Sequence, residues 1–295
     1  MRTETDELDQ IGAAYLDHLT GAYLRTLVRA DEATERDAEA RVAALRREPA
    51  LVLDVLDRPA TSTALLNLAA DRAREFSFVS PFLVFAAAVH RTAVDLAFTS
   101  YAPERAAPRL RVPVFDGPQL AEYLGNPRHR LFLAELLASF ARTSSGVIVT
   151  RTRRGVRRRR WNDLDLSRLA GLLEAVPAAQ RPGVWRRLGD LALFHAGVFP
   201  DAMAQTVPGP AEAIRLAQRT GLRSAPDAAR SGADLLEWFG AGWYGLAADH
   251  SIATTAVSVQ LRDTAEHVHQ ARRVLNTATD RYLFPVTTDW FTAPS

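Results

Sequence analysis

The sequence predicts an all-α protein, an irregular globular array of helices with one arginine-rich β-hairpin inserted at about 146–162. Three observations carry that expectation. Apolar residues recur at three- and four-residue steps along most of the chain, Ser-Pro and Asn-Pro pairs mark helix starts, and β-branched alternation occurs in one place only.

The elements follow in order. Leu8, Ile11, Tyr15, Leu19, Tyr23 and Leu27 form the first stripe, and Ala38, Val42 and Leu45 continue it after a polar break. Thr61 or Ser62 is expected to cap a helix carrying Leu65, Leu66 and Leu68. Ser80-Pro81 is a cap followed by a first-turn proline, opening a helix to about Tyr101 that is apolar on nearly all sides. Asn126-Pro127 repeats the device for a helix through Arg142. Asp163 or Asp165 starts a helix ending near Pro177, and Pro182 one through Val198. A loop is expected over 199–210, with short helices at 210–220 and 231–248. A long last helix is expected from Ser251 to Phe284, striped by Val257, Leu261, Val268, Leu275 and Tyr282. Prolines at 103, 108, 113 and 118 make 103–118 an irregular connector. Residues 1–295 are expected as a single helical domain, with that connector as the place of any subdivision.

Composition excludes several chemistries. The chain has 36 Lys plus Arg and contains no lysine, so every one of them is arginine. A lysine Schiff base, a P-loop lysine and a kinase-type lysine are therefore ruled out. Absence of cysteine removes disulfides and thiolate chemistry. The opening Met1-Arg-Thr-Glu-Thr-Asp-Glu has no apolar stretch behind a basic region, so no secretory signal is expected. The most apolar segment, 76–98, contains Pro81, His90, Arg91 and Asp95. It reads as a buried helix and not a membrane span, and a cytoplasmic location is the expectation.

The segment 144–163, SSGVIVTRTRRGVRRRRWND, carries the candidate site. Val147 to Thr150 favour a strand, and Arg154-Gly155 serves as the turn. In that register Arg153 faces Val156, Arg151 faces Arg158, Val149 faces Arg160, and Ile148 faces Trp161 as an apolar root. Arg151, Arg153, Arg158 and Arg160 share one face, and Arg157 and Arg159 the other. With Arg154 these are seven arginines in ten residues. The chain carries a net +2, so the rest of it carries −5. Arginine forks suit phosphate, and counterion release drives binding to nucleic acid. The bland alternative is a solvated loop in an arginine-rich protein. If instead the helical body supplies the counter-charge, for instance by packing Asp163, Asp165 or Glu174 against the arm, the hairpin is structural. An acidic protein partner and an anionic membrane surface are the other readings.

No nucleotide-binding, zinc-protease or nucleophile-elbow motif occurs, and no cofactor is expected. Glu266 and His269 stand in Glu-x-x-His spacing as weak metal candidates, without the second copy that di-iron bundles use. His90, followed by Asp95, and His195 lie in apolar helices. Convergence of His90, His195 and the Glu266–His269 region would make a helical enzyme credible. Trp238, Phe239, Trp243 and Tyr244 read as core before pocket. The reading is thus a non-enzymatic binding protein that engages nucleic acid or another polyanion through its hairpin. The alternatives are a scaffold subunit for an acidic partner, or a helical enzyme with a metal or apolar small-molecule pocket.

Overall fold

The computed structural model describes residues 2–32, 35–71, 80–107, 110–141, 145–152, 155–162, 164–200, 208–223, 232–251, 255–287 and 290–291. Over 145–152 and 155–162 the description is of backbone and strand pairing. Helix dominates and the arginine-rich segment is an antiparallel hairpin, as the apolar periodicity predicts. The chain divides into two compact units. The first comprises 1–106, 111–141 and 274–291, and the second 107–110, 142–273 and 292–295.

The first unit holds α1 (Arg2–Asp17), α2 (Gly21–Ala30), α3 (Glu35–Arg47), α4 (Leu51–Asp57), α5 (Pro59–Asp71), α6 (Pro81–Leu96), α7 (Gly117–Gly125) and α8 (Pro127–Phe140). The helix starts follow their caps. Thr20 accepts from Tyr23 N, Ser80 from Leu83 N and Asn126 from Arg128 N, which satisfies amides that have no partner within the helix. Each of Ser80 and Asn126 precedes a proline whose missing N–H costs nothing there. α6 is the core element. Its apolar run requires neighbours on every side, and α4, α5, α7 and α8 supply them. Leu83, Phe85 and Val89 are buried, as expected. Residues 76–79 of the apolar stretch lie outside the described residues.

Four expectations are corrected. α5 starts at Pro59, so Thr61 and Ser62 are buried inside it and do not cap it; the Thr61 hydroxyl instead donates to Asp31. α6 stops at Leu96, five residues short of Tyr101. The described residues of the connector 103–118 form β1 (Ala102–Ala107), paired with β2 (Leu110–Val114), and the start of α7, with 108 and 109 outside the described residues. Its two-residue link makes this second pair antiparallel, since parallel strands need a long crossover. Pro103 and Pro113 concealed it, because proline argues against a central strand. A two-stranded pair consists of edges, and edges tolerate proline.

The long last helix is the fourth correction. Thr255 and Ser258 form a reciprocal capping box that starts α13 (Ala256–Glu266), the chain breaks at His267, and α14 (Val268–Ala278) follows. Thr279–Leu283 then widens into a π-helical turn. That turn is held to α6 by Tyr282, whose hydroxyl donates to Asp95, and by Arg281 at 3.2 Å from the same carboxylate. Asp280 of the turn takes Arg105 of β1 and Arg111 of β2. These ion pairs tie both strands of the proline-punctuated segment to the π-helical turn. Burial, then the adjacent Asp95 carboxylate, pushes the Tyr282 phenol up to about 12.

The second unit holds β3 (Ser145–Thr152), β4 (Gly155–Asn162), α9 (Leu166–Ala170), α10 (Arg181–Val198), α11 (Pro210–Thr220), α12 (Gly232–Asp249) and α13. α10 against α12 is its main packing. Phe239, Trp243 and Tyr244 are fully buried on this seam, confirming the aromatic stripe as core, while Trp238 is half-buried. The polar ends of these rings are satisfied. Trp243 Nε1 donates to Thr220 Oγ1 and Tyr244 OH to Asp190 Oδ1, both at 2.9 Å. Leu261, Val268 and Leu275 are buried as expected, whereas Val257 is exposed. Among the described residues no helix is long and apolar enough to cross a membrane.

Candidate functional site

The arginine segment is built from the strand upward. Ser145–Thr152 pairs antiparallel with Gly155–Asn162, from Thr152 opposite Gly155 to Ser145 opposite Asn162. The two-residue turn is therefore Arg153-Arg154, one residue earlier than Arg154-Gly155. Arg153, Arg154 and Asp163 lie outside the described residues. Arg151 faces Val156, Val149 faces Arg158 and Val147 faces Arg160, while Ile148 faces Arg159 and Trp161 faces Gly146. Each partner has moved by two residues, so the expected faces survive, because side chains alternate with period two. Arg151, Arg158 and Arg160 occupy positions on one face, and Arg157 and Arg159 on the other with Ile148 and Trp161. The earlier turn brings Ser145 and Gly146 into the ladder, next to the β-branched run 147–150 that favours strand.

The root of the arm sits beside its own sequel. β4 runs next to α9 and the 3-10 turn Gly171–Glu174. Asp165 caps α9 by accepting from Arg168 N at 2.9 Å, and its other oxygen lies 3.0 Å from Arg168 Nε. Glu174 accepts from Arg219 Nε at 2.8 Å. Two of the three acidic residues placed near the arm by sequence thus hold arginines of the helical body.

The histidines are separate from one another in role. His90, in the first unit, is completely buried between Tyr15 and Asp57. Asp57 is a carboxylate that also accepts from Arg130 Nη1 at 2.7 Å, so His90 Nδ1, at 2.7 Å from the same oxygen, must donate. Nε2 is then the acceptor for Tyr15 OH at 2.9 Å. Burial would raise Asp57, but the bonds and charges of His90 and Arg130 outweigh it and hold its pKa below the usual carboxylate value. Burial depresses His90 and pushes the Tyr15 phenol well above its ordinary value. The chain is an ionised Asp57, a neutral His90 and a neutral Tyr15. Tyr15 and His90 have no exposed surface, so this relay specifies the core and offers a substrate no approach.

His195, in the second unit, is buried on α10 with Nε2 3.4 Å from the Leu164 carbonyl, and its Nδ1 has no partner among the described residues. His269 Nδ1 lies 3.2 Å from Glu237, which also takes Arg272 Nε. That bond to Glu237 raises the His269 pKa. The break at His267 separates Glu266 from His269, so their Glu-x-x-His spacing does not fall on one continuous helix face. Glu266 instead lines a polar groove with Asp249, Ser258 and Arg262. Sequence reasoning missed Tyr15, Asp57 and Arg130. Tyr15 and Asp57 meet His90 across separations of 75 and 33 residues, and Arg130 meets Asp57 across 73, where no spacing rule applies. No family model, curated protein or solved structure matches this chain.

His195 has a measurable consequence. Burial pulls its pKa down to about 4. Between about pH 6.5, the ordinary histidine value, and pH 4 the unfolded chain therefore binds the proton that the folded chain refuses. Stability from this group is complete above pH 6.5 and is lost as pH falls toward 4. The shift corresponds to about 3 kcal/mol. Urea unfolding across pH 7 to 4 should steepen in that window, and His195→Gln should flatten the dependence. An unchanged slope in the variant would remove His195 as its source.

Proposed function

We propose that this protein is a non-enzymatic binding protein that grips nucleic acid, or another phosphate-rich polyanion, with the β3–β4 arm. One observation carries the reading: seven arginines fall within residues 151–160 of a chain whose remainder is net negative. Five of them, Arg151, Arg157, Arg158, Arg159 and Arg160, are strand positions of a regular ladder. Like charges at neighbouring ladder positions repel, so the arm gains from any ligand that supplies counter-charge along its length. Phosphates spaced along a strand do so, and arginine binds them through paired N–H groups.

The test is fluorescence anisotropy of a labelled 20-nucleotide duplex and single strand over 50–500 mM salt. Wild type is compared with a variant carrying serine at Arg151, Arg153, Arg158 and Arg160. Wild-type affinity should fall by about 0.9 log units per log of salt for each duplex phosphate neutralised. A variant that loses four such contacts should show a slope shallower by about 3 to 4. Equal binding by a folded variant would overturn the assignment of the arm. Binding only to an acidic protein, with none to either nucleic acid, would overturn the ligand class.

A further inference from the structure

We infer that the first unit carries a second, independent binding site, a pocket between α2, α3 and α4 that takes a small zwitterion with an aliphatic side chain, of the class of a free branched-chain amino acid. The pocket is a depression open to solvent, with a volume of about 180 Å³. Liquid water occupies about 30 Å³ per molecule, so the space replaces about six waters and suits a ligand of few heavy atoms.

The walls come from helix faces. Leu51, Asp54, Val55 and Arg58 stand at three- and four-residue spacing along α4 and just past its end. Arg41 and Leu45 stand at the same spacing on α3, and Val28 and Asp31 at the end of α2. Val28, Leu45, Leu51 and Val55 make the lining apolar, which serves an aliphatic side chain and no extended polar ligand.

The charges on the rim are what select a zwitterion. Arg41 Nη1 and Arg58 Nη1 both reach Asp31 Oδ2, at 3.0 and 2.5 Å, so two guanidiniums converge on one carboxylate and leave that end with an excess positive charge. Each is about half exposed, and each uses only Nη1 in these bonds, so further N–H groups remain for a ligand carboxylate. Asp54 and Arg58 are four residues apart, the spacing at which opposite charges on a helix ordinarily pair. Arg58 turns to Asp31 instead, and Asp54 lines the same pocket as an exposed carboxylate. A positive edge and a negative edge about one helical turn apart, over an apolar floor, match the carboxylate, ammonium and side chain of an aliphatic amino acid.

The experiment uses the full chain and three probes in parallel: L-leucine, 4-methylpentanoate, which lacks the ammonium, and 3-methylbutylamine, which lacks the carboxylate. Backbone amide shifts of residues 28–58 are followed by NMR to 20 mM probe. Leucine should saturate, with each truncated probe at least tenfold weaker. Asp54→Asn, an exposed change that leaves the Asp31 ion pairs intact, should weaken leucine about tenfold and leave 4-methylpentanoate unchanged. Arg58→Gln should weaken leucine and 4-methylpentanoate together, with circular dichroism reporting whether the variant is folded. Failure of leucine to saturate would overturn the site. Equal binding of leucine and 4-methylpentanoate, insensitive to Asp54→Asn, would overturn the zwitterion assignment.

Discussion

Replacing His90 by leucine is expected to destabilise the protein by about 2–4 kcal/mol, although the new side chain is apolar and enters an apolar helix. The loss comes from what is left behind. Tyr15 has no exposed surface, and its hydroxyl would have no acceptor once Nε2 is gone. A buried hydroxyl left unsatisfied costs about 1–3 kcal/mol. Asp57 fares better, since it keeps Arg130 and its side chain is 36% exposed. The remainder reflects packing, because leucine lacks the shape that meets the Tyr15 ring edge-on at 5.5 Å between centroids. Tyr15→Phe removes the donor alone and should cost about 1 kcal/mol. The double variant should cost less than the sum of the two, because each single change already breaks the same bond. Urea unfolding of all four proteins measures the coupling. Strict additivity would show that the Tyr15–His90 bond contributes nothing.

That network marks the limit of what the sequence makes legible. Several elements announced by local chemistry are read correctly, although Thr61 and Ser62, read as caps, lie inside α5. Ser80-Pro81 and Asn126-Pro127 start helices because cap and proline act within four residues. The β-branched run at 147–150 forms a strand for an equally local reason. Faces of the arm are also legible, since a slip of two residues leaves them intact. Turn placement is not, because Arg-Gly and Arg-Arg offer no residue that demands a particular turn. The break at His267 is equally silent, since no glycine or proline stands there to announce it. Partners of His90 are invisible for a different reason. Asp57 and Arg130 belong to other helices, and only the packing of α4 and α8 on α6 brings Asp57 to the imidazole and Arg130 to Asp57. The pocket between α2, α3 and α4 is hidden in the same way. Its residues read singly as ordinary amphipathic positions, and the departure of Arg58 from Asp54 to Asp31 is a tertiary choice.

Gly12→Ala should also be severely destabilising, by about 2–4 kcal/mol, against the usual helical preference for alanine. Gly12 lies in the middle of α1, where alanine is ordinarily better by about 1 kcal/mol. A Cβ at this position would stand 2.2 Å from the Pro49 carbonyl oxygen and 2.7 Å from Ala50 N. Both are backbone atoms, so no side chain can rotate away. The 49–50 turn is also pinned to α1 by a hydrogen bond, since Ala50 N donates to Asp9 Oδ1 at 3.1 Å. Relief therefore requires α1 to move off the α3–α4 turn. Ile11 and Tyr15, both buried on this helix, would then be drawn from the core cluster they share with Leu45, Val52 and Leu53. Gly245→Ala is the internal control. It too is within a helix, α12, but a Cβ there meets nothing within 4 Å. Propensity then acts alone, and the variant should be more stable by about 0.5–1 kcal/mol. The two substitutions are chemically identical, so opposite signs in urea unfolding isolate the steric contact from the helix preference. A Gly12→Ala protein as stable as wild type would mean that α1 does not approach the Pro49 turn at this distance.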